Sequence, residues 1–137
     1  MNPEVQAFLT GFPVTLLHAG LTLVLLALGV GAYSLLTPHK EVQLIRAGNP
    51  AAAISFGGML LGLAIPLAAA LAASPSALEI ALWGVCVIVV QLLVFRLIDV
   101  LLTGLPQRIQ EGEIAAAALL AAAKLGAALV LGAAVAG

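Results

Sequence analysis

The run Ile114 to Gly137 carries a single charged side chain, Lys124, near its middle. An ammonium set among alanines and leucines needs a counter-charge, acceptors or water. Gln91 brings an amide into the apolar stretch QLLVF. Pro66 has no N–H, so within a helix it leaves the carbonyl of Gly62, four residues earlier, without its donor. Lys124, Gln91 and the Gly62 carbonyl are expected at similar depth and could form one polar cluster. Arg96 and Asp99 stand three apart, on one helix face, and are expected to pair with each other near a helix end. Such groups can serve as an ion or solute contact, as a satisfied structural spot, or as a seam between copies.

The elements that position them are membrane helices. Of 137 residues, 64% are hydrophobic and 8% charged, far below the roughly 25% charged residues of globular chains. A chain this small buries only ~60–70% of its unfolded surface, too little to hide so much apolar area from water. The lipid bilayer is therefore its main partner. The net charge of −1 argues against nucleic acid. One cysteine, Cys86, excludes an intrachain disulfide. His39 has no second ligand at metal-binding spacing, and no cofactor fingerprint or catalytic motif is present, so neither metal, cofactor nor enzyme activity is expected.

Four stretches reach the ~20 apolar residues a spanning helix requires, at about 14–36, 51–73, 80–102 and 114–136. Lys40 and Arg46 follow the first, and Arg96 and Arg108 cluster at the end of the third, whereas the N-terminal tail, the AASPSALE loop and the C-terminus have no Lys or Arg. Both basic loops are expected in the cytoplasm and both termini outside. At ~15 Å from the inner end of its span, Lys124 lies too deep to snorkel and should face the bundle or a wet cavity.

A gapless shift lays LIRAGNPAAA on RIQEGEIAAA, matching Ile45 with Ile109, Gly48 with Gly112, and Gly62 with Gly126. The expected fold is all-α: an integral membrane four-helix bundle made of two parallel tandem transmembrane hairpins, about 14–73 and 80–136. Each has a short interfacial helix in its cytoplasmic loop. Thr37 would cap the first short helix, starting at Pro38, Gly48 would end it in a left-handed turn, and Asn49 would cap the next span. Leu60 occupies the place of Lys124 in the other copy. Small residues at Gly58 and Gly62, and at Ala122 and Gly126, repeat at the spacing that lets helices approach closely in lipid, within a chain or between copies of a homo-oligomer.

The stretch LTPHKEVQLIRAGNPAAAISFGGMLLGLAIPLAAA, then QLLVF, then IQEGEIAAA, resembles the YjfL family of bacterial inner-membrane proteins. The resemblance implies a duplicated two-helix domain of unknown function in the bacterial cytoplasmic membrane. It also implies a setting among envelope proteins, but no catalytic or binding residues. Two functions compete. One is an oligomeric membrane module or scaffold that recruits cytoplasmic envelope-associated partners through Lys40, Glu41, Arg46, Arg108, Glu111 and Glu113. The other is a small ion or solute channel or transporter built on Lys124, Gln91, Arg96 and Asp99. The first requires less, because a pore needs a continuous wet path.

Overall fold

The computed structural model describes residues 2–37 and 41–137. These form six helices: α1 (Pro3–Leu36), α2 (Glu41–Arg46), α3 (Pro50–Ala73), α4 (Ala77–Leu101), α5 (Leu105–Gln110) and α6 (Ile114–Ala136). Helices α1, α3, α4 and α6 are long and apolar enough to cross a membrane.

Helix α1 begins at Pro3, not at residue 14. Asn2 accepts from the Glu4 amide at 2.9 Å, and Pro3 supplies the preset φ of a first turn. The helix continues through Pro13. Thr15, Thr22 and Ser34 donate their hydroxyls to carbonyls one turn back, which keeps those groups satisfied in an apolar medium. Thr37 behaves likewise, its hydroxyl 2.7 Å from the Tyr33 carbonyl. Thr37 therefore finishes α1 instead of opening the short helix. Pro38, His39 and Lys40 lie outside the described residues.

Gly48 sits at φ 91° and Gly112 at φ 88°, in the left-handed region that glycine enters without a steric penalty. Their amides donate to the carbonyls of Ile45 and Ile109, closing the ends of α2 and α5. Asn49 then caps α3, accepting from the Ala52 amide at 3.1 Å. Its NH₂ crosses to the other hinge and donates to the carbonyls of Ile109, at 2.9 Å, and Gln110, at 3.2 Å. Both hinges thus lie at one end of the bundle, called the hinge end below. Glu113 precedes α6 without a side-chain cap and binds Arg108 instead.

The tightest contact in the bundle joins α3 to α6. A Cβ at Gly58 would fall 2.5 Å from the Ala121 Cβ, and one at Gly62 would lie 3.5 Å from the Lys124 carbonyl. Gly132 meets Ile65 and Pro66 further on, so residue numbers rise together and the two helices run parallel. Helix α1 lies on α3 and α4, while α4 also lies on α6. The four spans make a ring in the order α1, α3, α6, α4, in which α3 and α4 touch across the short diagonal and α1 and α6 face each other across the long one.

The interior is layered. At the hinge end Ala51, Ala52, Ile109, Ala116, Ala117 and Leu120 pack with Leu44 and Ile45 of α2. Those α2 side chains thus pack under the bundle. Tyr33, Met59, Leu63 and Phe95 form the middle layer, and Leu25, Leu67, Ile80, Val87 and Ile88 close the far end.

Candidate functional site

Lys124 is fully buried. A helical Cα–Cβ bond tilts toward its own N-terminus, which for α6 is the hinge end. The lysine side chain accordingly leans away from the membrane centre and fills the long diagonal. Its Nζ lies 3.3 Å from Asp99 Oδ1 and donates to the Tyr33 hydroxyl at 3.2 Å. The Tyr33 hydroxyl in turn donates to Glu41 Oε1 at 2.8 Å. Nζ also stands 5.0 Å from the Tyr33 ring centroid and 5.3 Å from that of Phe95, close enough for cation–π attraction. The two rings meet edge to face.

The result is an ionic chain across four elements: Asp99 on α4, Lys124 on α6, Tyr33 on α1 and Glu41 on α2. It offers one cation, two carboxylates and a phenol that links them, an arrangement able to hold a charge in place or to pass on displacement of α2. Three crevices reach it. One of about 420 Å³ runs between α1 and α4 and one of about 380 Å³ between α1, α2 and Phe56 of α3. A third, of about 600 Å³, runs from Asp99 to Thr103, Gln107 and Gln110 beside α5.

A second polar contact lies deeper. Gln91 Nε2 donates to the Gly62 carbonyl at 2.7 Å, both groups buried. This is the carbonyl that Pro66 leaves without a helical donor.

Residues 7–135 match the family of domains of unknown function designated DUF350. The chain belongs to the DUF350 family. The DUF350 chain is also 42% identical over 77 residues to the UPF0719 inner membrane protein YjfL of Escherichia coli strain K12, and equally to that of strain O157:H7. The aligned stretch covers 56% of this chain and 58% of each relative, so it spans little more than half their length. No solved structure matches.

Several expected groupings in this DUF350 protein are rearranged. Lys124 does not join Gln91 and Gly62. Equal Cα depth suggested that cluster, but the lean of the lysine side chain carries its ammonium to Asp99 and Tyr33. Arg96 and Asp99 do not form the expected ion pair: Asp99 turns inward to Lys124, whereas Arg96 is exposed. Ala122 and Gly126 are exposed, and nothing would meet a Cβ at Gly126. The close approach of α6 is made by Ala121 instead.

Glu41 also leaves the proposed partner surface, being 4% exposed. Arg46, Arg108, Glu111 and Glu113 remain exposed at the hinge end, and Lys40 lies outside the described residues. Tyr33 and Phe95 were not among the candidate residues. Tyr33 resembles an interfacial ring by position, yet it is 5% exposed. Its one available signal was its place one turn before the end of α1, eight residues ahead of the acidic Glu41.

Proposed function

We propose that this DUF350 protein is a non-conducting, multi-pass module of the bacterial inner membrane that holds a cytoplasmic partner on its hinge helices. The observation that carries the reading is the one-sided distribution of polar groups. The crevices around Lys124 lie toward the hinge end, while beyond Gln91 the interior is closed by Leu25, Leu67, Ile80, Val87 and Ile88. A solute would meet packed side chains there, not water. The basic residues Arg46, Arg96 and Arg108 lie toward the hinge end and none lies in the opposite loop, which supports a cytoplasmic hinge end and outward termini. The inner-membrane location of the Escherichia coli relatives supports the same placement.

In this reading Lys124, Asp99, Tyr33 and Glu41 set the position of α2, and exposed Gln43, Arg46, Gln107 and Glu111 meet the partner. Association of copies through the open Ala122 and Gly126 face of α6 is part of it. Photo-crosslinking residues at Gln43, Arg46, Gln107 and Glu111 should trap protein in living cells, whereas the same probe at lipid-facing Leu60 or Val89 should not. Purified protein in vesicles should pass no more ions than empty vesicles. Ion flux that disappears in Lys124→Met would overturn the reading and favour a channel.

A further inference from the structure

Two of the crevices meet at Arg96. On one side is the trough between α1 and α4, walled by Leu36, Val89 and Leu93. On the other is the crevice beside α5, lined by Thr103, Gln107 and Gln110. Arg96 lines both, is exposed, and among the described residues has no ion pair or hydrogen bond. Asp99 also lines both, but it faces the ammonium of Lys124. The junction therefore presents a guanidinium without a counter-ion. Arg96 stands five residues before Leu101, the last residue of α4, or about 8 Å from the helix end, near the headgroup boundary.

An apolar trough, a cation and an amide-rich crevice in series match an amphipathic anion. We propose that this junction binds one anionic phospholipid of the leaflet at the hinge end. An acyl chain lies along Val89 and Leu93, and the phosphate sits on Arg96. An uncharged, hydroxylated head meets Thr103, Gln107 and Gln110. A guanidinium suits a phosphate because its fork of donors binds two oxygens at once. The crevice volumes fall in the range of small-ligand sites, ~300–1,000 Å³. A head bearing an ammonium fits worse, because it would set a second cation beside Arg96 where the shared carboxylate is already engaged. The inference does not depend on the scaffold reading.

The test is native mass spectrometry of the full chain titrated with phosphatidylglycerol or phosphatidylethanolamine. The first lipid to bind should favour phosphatidylglycerol by about five-fold, the effect of one basic residue near a membrane surface. Arg96→Gln should erase that preference and Arg96→Lys should keep part of it. Arg46→Gln, at another exposed basic residue of the hinge end, should leave it unchanged. Val89→Trp, which fills the trough, should lower first-lipid occupancy for both head groups. Equal binding of the two lipids by the unaltered chain would overturn the site. So would an equal loss in Arg46→Gln, which means diffuse attraction, or unchanged binding in Val89→Trp.

Discussion

The ammonium of Lys124 meets the phenol oxygen of Tyr33 at 3.2 Å, joining the last span to the first across the long diagonal of the bundle. These two helices otherwise barely touch. The pair therefore acts as a spacer as well as a bond, and the carboxylates on either side of it decide what its removal does.

Removing the cation alone leaves Asp99, 13% exposed, without its counter-charge. Loss of one partner of a buried ion pair typically costs ~3–5 kcal/mol. Lys124→Met should fall in that range in denaturant titrations of the micelle-embedded protein. Adding Asp99→Asn should restore more than half of the loss, since the double variant no longer strands a charge. Additive losses would show that the two groups are not coupled.

Gln91 and Pro66 give a second coupled pair. Gln91→Leu strands the Gly62 carbonyl and should cost about 1–3 kcal/mol. In a Pro66→Ala background the new amide at residue 66 can bond that carbonyl within α3. Gln91→Leu should then cost less than about 1 kcal/mol. Equal costs in both backgrounds would mean that Gln91 matters only for its volume.

Gly57 and Gly58 are adjacent but should respond oppositely. A methyl at Gly58 meets the Cα of Ala121 at 2.8 Å, and backbone cannot turn aside as a side chain can. Gly58→Ala should destabilise by about 1–3 kcal/mol through forced separation of α3 and α6. Gly57 has open space, so Gly57→Ala should be neutral or stabilise by up to about 1 kcal/mol through helix propensity. Thermal unfolding of the two variants in one detergent makes the comparison.

Asn49→Ala removes the cap of α3 together with the bonds to Ile109 and Gln110. A lost cap alone costs about 0.5–2 kcal/mol. Hydrogen exchange should accelerate both in the first turn of α3 and at the end of α5. A change confined to α3 would show that the cross-hinge bonds contribute nothing.

The spans were legible because hydropathy over twenty residues is a strong signal, and α3 and α6 start within one residue of the stretches read for them. The hinge glycines and Asn49 were legible because their conformations suit few residue types. The start of α1 was not read, since Pro13 resembles a boundary and the cap at Asn2 lies far from the most apolar stretch. Side-chain partnership was the least legible. Spacing put Arg96 and Asp99 on one face, but a long diagonal between α1 and α6 exists only in the folded ring. That gap, and the lean of Lys124 into it, divert Asp99 from its neighbour. Tyr33 and Glu41 enter the site because α2 packs under the bundle, beside the end of α1.

The order of the elements along the chain has a bearing on how the protein is made. The helix that carries the deep charge is made after the other five, while its phenol, its carboxylate and the glutamate behind them belong to α1, α4 and α2. When α6 leaves the ribosome, the groups that receive its ammonium are already in place. The span that carries a charge at its middle thus arrives where its polar reception has been assembled.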